Sequence, residues 1–171
     1  MPRFIFPFQK QQMNKHKWIL LVEDDENDAD LALRALSLNQ APKEVIVARD
    51  GSEALDCLYQ REGFHQRGNG NPVVVLLDLK MPKMDGVEVL RQLKTDPRLR
   101  AIPIVVLTSS REETDVARSY DFGANAYVVK PVDFQEFVAA IKEIKRFWAI
   151  LNEPPPSFER NDSRQSPLIA V

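Results

Sequence analysis

The sequence predicts an α/β fold, a doubly wound parallel sheet with helices on both faces. Three observations predict it. Short apolar runs and amphipathic segments alternate five times along the 171 residues, a pattern that right-handed crossovers turn into a covered parallel sheet. Residues 73–77 (VVVLL) are apolar without alternation, as suits a strand buried on both faces. Four of the apolar runs end on a polar residue, and the carboxyl edge of an open parallel sheet is where ligands bind.

Residues 18–22 are apolar and end in Glu23, Asp24 and Asp25, a first strand. Asn27 or Asp28 can cap the helix that follows, in which Ala29, Leu33 and Leu36 keep helical spacing to about Leu38. Pro42 closes the connection, residues 44–48 form a short strand, and Asp50-Gly51 reads as a turn. Residues 52–59 form a helix with Ala54, Leu55 and Leu58 inward. Residues 61–71, rich in Gly, Asn and Gln, read as an exposed loop that carries His65. The central strand ends on Asp78. A helix over 86–94 rests on Val87, Leu90 and Leu93 and stops at Asp96-Pro97. Residues 104–107 form the fourth strand, ending in Thr108-Ser109, and a weaker helix covers 112–120. Residues 126–129 form the fifth strand, ending in Lys130-Pro131. Asp133 opens a long helix through about Leu151. Phe134, Phe137, Val138, Ile141, Ile144 and Trp148 lie inward on it at helical spacing.

Composition bounds the function. The chain is 44% hydrophobic and 28% charged, with a net charge of −2, so charge gives no reason for a nucleic-acid or anionic-membrane partner. No apolar run approaches the length of a membrane span. Cys57 is the only cysteine; it excludes an internal disulfide and an all-cysteine metal site, and fits a reducing, cytoplasmic compartment. The expected organisation is a flexible arm over 1–16 (Met13 is an alternative start), a folded domain over 17–151 and a disordered tail over 152–171. The tail carries Pro154-Pro155-Pro156 and then polar residues.

The strand ends carry the chemistry. Singly, each polar group has an ordinary explanation: Asp caps turns, Lys sits on solvated surface, and Thr is a common strand residue. Together on one edge, Glu23, Asp24 and Asp78 would repel one another and resist full ionisation. A hard divalent cation relieves that, and an oxygen-only donor set with open positions suits Mg²⁺. With Lys130 and such a cation, the three carboxylates reach charge balance, so a phosphoryl donor can approach. Asp78 as nucleophile yields an acyl phosphate, with Lys130 neutralising the transferring oxygens. The Thr108 hydroxyl can donate to the new phosphate and draw its loop inward.

These residues stand in LLVEDDE, LLDLKMPKMDG, LTSS and GANAYVVKP. Together the motifs resemble the receiver domains of two-component response regulators, over roughly residues 17–150. The resemblance implies a flavodoxin-like (βα)5 fold with strand order 2-1-3-4-5. It implies Asp78 as phosphoacceptor and Glu23 and Asp24 as the acidic Mg²⁺ pair, Asp24 the more direct ligand, with the Lys80 backbone carbonyl supplying another. Thr108 and Tyr127 match the switch hydroxyl and switch aromatic, Lys130 the phosphate-binding lysine, and Pro131 the cis-proline position. Asp25 matches no essential position, and His65 reads as a loop surface residue. The longer 61–71 loop and the aromatic-ended last helix are similar to small receivers that partner cyanobacterial phytochrome histidine kinases. This implies a sensor histidine kinase, of phytochrome type, as partner. Receivers also pair through the fourth helix, fifth strand and fifth helix, which implies a homodimer, with Phe147, Trp148 and Leu151 as the expected interface. The competing reading of those apolar residues is a well-buried or tail-shielded helix end.

Fewer than twenty-five residues follow Leu151, too few to fold unaided, so the expected reading is a single-domain regulator, not an enzyme. Three other readings compete. A phosphorylation-independent adaptor fits poorly with a complete acid, Thr and Lys set. An aspartate-nucleophile phosphohydrolase would carry its nucleophile after the first strand and a second Asp two residues on, where this chain has Lys80. A nucleotide-binding protein of this fold would need a glycine-rich phosphate loop after a strand, and none is present.

Overall fold

The computed structural model describes residues 17–37, 44–61 and 70–155. The elements are β1 (Trp18–Val22), α1 (Glu26–Ser37), β2 (Glu44–Ala48), α2 (Gly51–Tyr59), β3 (Val74–Leu77), α3 (Gly86–Thr95), β4 (Ile104–Thr108), α4 (Glu113–Asp121), β5 (Ala126–Val129) and α5 (Phe134–Lys145). A π-helical turn, Arg146–Leu151, continues from α5. All strand pairs are parallel, in the order β2-β1-β3-β4-β5. This is the predicted doubly wound sheet and the predicted order.

Side-chain alternation along the strands splits the core into two layers. Leu20, Val22, Val75, Leu77 and Val106 face α2 and α3, where Leu55, Leu58, Leu90 and Leu93 meet them. Ile19, Leu21, Leu76, Val105 and Leu107 face α1 and α5, where Ala32, Leu36, Phe137 and Ile141 meet them. Because both faces are covered, β1, β3 and β4 are buried at every position. Each such leucine or isoleucine contributes about 1.5–3 kcal/mol of burial, which makes the sheet a stiff base for the residues at its edge.

Several local expectations are corrected. Asp25, not Asn27 or Asp28, caps α1: its Oδ1 accepts from the amides of Asn27 and Asp28 at 2.9 Å each. Asp50 is an N-cap and not part of a free turn, because its side chain accepts from the Glu53 amide and Gly51 already belongs to α2. Gly51 is glycine for space, since a Cβ there would lie 2.5 Å from Val89 Cγ2. Phe134 is not inward but 62% exposed; it is the first residue of α5, while Phe137, Ile141 and Ile144 are buried. The long last helix changes pitch at Arg146 instead of running on as α-helix to Leu151. The N-terminal arm, most of the 61–71 loop with His65, and residues 156–171 lie outside the described residues.

Candidate functional site

Strand register places the site. Val22 of β1 pairs with Leu77 of β3, so Glu23 and Asp78 emerge side by side. The ladder runs one step further: the Asp78 amide donates to the Val22 carbonyl at 3.0 Å, and the Glu23 amide to the Ala48 carbonyl at 3.0 Å. On the other side Thr108 pairs with Val129, and the Lys130 amide donates to the Thr108 carbonyl at 2.8 Å. Backbone bonds alone therefore bring the residues that follow β1, β3 and β5, and the last residue of β4, to one edge.

Carboxylate oxygens of Glu23, Asp24 and Asp78 lie within 4.8 Å of one another. Glu23 and Asp78 are buried, and Asp24 is partly exposed at the mouth. Burial pushes the Glu23 carboxyl up to about 7, against the pull of Lys130. Lys130 Nζ donates to Glu23 Oε2 at 2.6 Å, Asp78 Oδ2 at 2.8 Å and Asp28 Oδ2 at 2.9 Å. Burial alone would lower this ammonium, but the three carboxylates outweigh it and hold the pKa above the ordinary lysine value. One lysine thus neutralises part of an anionic cluster that has more negative than positive charge. Three convergent oxygen donors, one costly to ionise where it stands, form a donor set that fits a hard divalent cation.

The connection after β3 is pinned to the site. The Lys80 amide donates to Asp78 Oδ1 at 3.2 Å, and the Gly86 amide donates to the Leu79 carbonyl at 3.0 Å. A Cβ on Gly86 would lie 2.1 Å from the Asp78 carbonyl oxygen, so only glycine allows α3 to start this close to the acidic edge. The Lys80 ammonium pairs with Asp115 of α4 at 2.9 Å.

Thr108 is fully buried, and its Oγ1 accepts from the Ser110 amide at 3.4 Å. Tyr127 is half-buried, and its hydroxyl donates to the Ser110 carbonyl at 3.1 Å. Phe147, Trp148 and Leu151 lie away from this edge, in the π-helical turn; Phe147 and Leu151 are exposed, and Trp148 is half-buried with its ring edge-on to Phe147 at 5.0 Å.

Sequence reasoning missed Asp28 and Asp115. Asp28 is hidden by its capping propensity; only the position of Asp25 frees it to face Lys130. Asp115 sits in a weak amphipathic pattern, and nothing in its neighbours marks it as buried.

Residues 19–142 match the response regulator receiver domain family. FilR2 of Methanothrix harundinacea, described as a probable methanogenesis regulatory protein, is 44% identical over 80% of this chain and 86% of its own. The response regulator Rcp1 of Synechocystis is 39% identical over 80% and 92%. Among solved structures, the phosphorylated cyanobacterial phytochrome response regulator RcpA is 40% identical over 82% of this chain and 99% of its own, with a TM-score of 0.77. The Mn²⁺-bound form of Rcp1 is 37% identical over 82% and 99%, TM-score 0.76. The bacteriophytochrome response regulator RtBRR is 58% identical over 82% and 84%, TM-score 0.65.

Proposed function

The chain belongs to the response regulator receiver family, and on that footing we propose that it is a phosphoacceptor switch that takes a phosphoryl group onto Asp78 from a partner histidine kinase. The observation that carries this reading is the edge cluster itself: three carboxylates within 4.8 Å and one lysine 2.8 Å from Asp78.

The roles follow from position. A carboxylate oxygen of Asp78 forms a bond to phosphorus while the donor's bond to phosphorus breaks and its electron pair leaves with the donor. Lys130, already on Asp78 Oδ2, neutralises the phosphoryl oxygens as they arrive. Glu23, Asp24, Asp78 and the Lys80 carbonyl hold Mg²⁺, which when bound supplies further charge neutralisation on those oxygens. That the related Rcp1 has a Mn²⁺-bound form supports a divalent cation at this site. Thr108 donates its hydroxyl to the new phosphate, and Tyr127 follows as the β4–α4 connection moves. The state is read through the surface of α4, β5 and α5, a population shift biased by a local charge.

The partner kinase is of phytochrome type, a reading supported by the likeness to RcpA and RtBRR. The switch works in the cytoplasm and pairs with a second copy through Phe147, Trp148 and Leu151. Among the described residues no helix is long and apolar enough to cross a membrane. The receiver domain spans 17–151.

The test is intact-protein mass spectrometry after incubation with acetyl phosphate, with and without Mg²⁺, on the wild type and Asp78→Asn. A Mg²⁺-dependent gain of one phosphoryl group, lost in the variant, is the expected result. No gain in folded, Mg²⁺-binding protein would overturn the phosphoacceptor reading in favour of an adaptor.

A further inference from the structure

We propose that the Lys80–Asp115 ion pair is a latch between the acidic edge and α4, and that a phosphoryl group on Asp78 opens it by drawing away the Lys80 ammonium. This deepens the phosphoacceptor reading and rests on it.

Lys80 is tied to the site at its base and to α4 at its tip. Its amide donates to Asp78 Oδ1 at 3.2 Å, and its ammonium lies 2.9 Å from Asp115 Oδ2. The same Asp115 oxygen accepts from the Ser110 hydroxyl at 2.6 Å. Ser110 is a junction: its amide donates to Thr108 Oγ1, its carbonyl accepts from Tyr127, and its hydroxyl accepts from the Glu112 amide at 3.4 Å. One ion pair therefore closes a chain of contacts running from Asp78 to the start of α4.

α4 depends on that chain. Its buried residues are Asp115 and Ser119, both polar, whereas every other α-helix among the described residues buries apolar side chains. The Ser119 hydroxyl donates to the Asp115 carbonyl at 2.7 Å. Its N-cap, Glu112, makes no side-chain bond to the helix. An element held by few apolar contacts opens and shifts at low cost, so α4 responds when one polar anchor is removed.

The exchange is favourable in direction. The Lys80 side chain is 58% exposed, and an exposed ion pair is weak enough to be traded. Asp115 offers one negative charge; a phosphoryl group on Asp78 offers close to two, two residues from the lysine's own Cα. When Lys80 turns to the phosphoryl oxygens, Asp115 keeps only the Ser110 hydroxyl. Thr108 pulls on the same serine from the other side, so both ends of the 110–112 segment are released together.

The experiment is hydrogen exchange of the 110–121 segment, read by mass spectrometry, on the full chain without and with acetyl phosphate and Mg²⁺. It compares wild type, Lys80→Met, Lys80→Arg and Asp115→Asn, with intact mass recorded in parallel. In the wild type, phosphorylation should speed exchange about two- to fivefold, the range an exposed ion pair allows. Lys80→Met and Asp115→Asn should show that faster exchange before phosphorylation and little further rise. Lys80→Arg, which keeps the charge, should behave as wild type. If Lys80→Met exchanges at the wild-type rate before phosphorylation, the latch is overturned. If the wild type gains a phosphoryl group and exchange does not change, the trigger is overturned while the phosphoacceptor reading stands. If no phosphoryl group is gained, that reading falls and the trigger with it.

Discussion

Asp28 Oδ2 lies 2.9 Å from Lys130 Nζ, which adds a third carboxylate to a lysine already shared by Glu23 and Asp78. Asp28 stands outside the triad of convergent metal donors. A cation entering that triad must take Glu23 and Asp78 away from Lys130, and Asp28 gives the ammonium a partner to keep. Asp28→Asn should therefore leave Lys130 bound harder to the donor triad and weaken Mg²⁺ binding about two- to fivefold. Asp28 is 41% exposed on its side chain, so the fold itself should change by at most about 1 kcal/mol. Calorimetric titration with Mg²⁺ at constant ionic strength checks this; an unchanged affinity would remove Asp28 from the site.

Lys130 itself is the stronger case. Its side chain is 8% exposed and its two inner partners less still. Lys130→Met leaves two buried carboxylates facing each other, which costs about 3–5 kcal/mol, less whatever Glu23 recovers by taking up a proton. A divalent cation does the missing neutralisation. Added Mg²⁺ should thus raise the melting temperature more in Lys130→Met than in the wild type, because in the variant it displaces no ammonium. Equal shifts in the two proteins would show that Lys130 and the cation do not compete for the same oxygens.

The unequal legibility of this molecule has a physical cause. The sheet and its edge were readable because backbone register does the placing: VVVLL predicts a doubly covered strand, and Asp78 follows it whatever the loops do. Glu23 and Lys130 are fixed in the same way, by ladder bonds from Ala48 and Thr108. Side-chain choices among neighbours were not readable. Asp25, Asn27 and Asp28 all have capping propensity, and only three-dimensional contact decides that Asp25 caps while Asp28 turns to Lys130. Phe134 obeys the helical spacing of α5 and is nevertheless exposed at the helix's first position. The buried positions of α4, Asp115 and Ser119, are polar and carry no apolar mark in the sequence, so the Lys80–Asp115–Ser110 contacts could only be found in the structure.

Exposed apolar side chains in the turn that follows α5 lead to a prediction about assembly. Phe147 is 50% and Leu151 61% exposed, with Ile150 at 54% beside them. Neither Phe147 nor Leu151 is needed to fill the core, where Ala149 is the buried residue of this turn. Phe147→Ser with Leu151→Ser should keep the wild-type melting temperature within a few degrees and convert a dimer to a monomer in light scattering. A wild type that is monomeric at tens of micromolar, or a double variant that stays dimeric, would move the pairing surface elsewhere.

The Lys80–Asp115 pair also carries a pH signature. The Ser110 hydroxyl, and after it the Lys80 ammonium, holds the Asp115 carboxyl below its ordinary 3.8. A carboxyl depressed in the folded state stabilises the fold above the unfolded value and loses that contribution as pH falls through the folded one. Protonated Asp115 resembles Asn in shape and charge. The stability gap between wild type and Asp115→Asn should then be full and flat above about pH 5, and narrow as pH falls below about 4 and through the depressed folded-state value. Urea unfolding of both proteins across that range measures the gap directly. The Lys80 ammonium, raised by the same contact, stays charged throughout the window, so any slope belongs to the carboxyl. A gap that persists unchanged to pH 2 would mean that Asp115 holds α4 by shape, and the charge of the latch would lose its role.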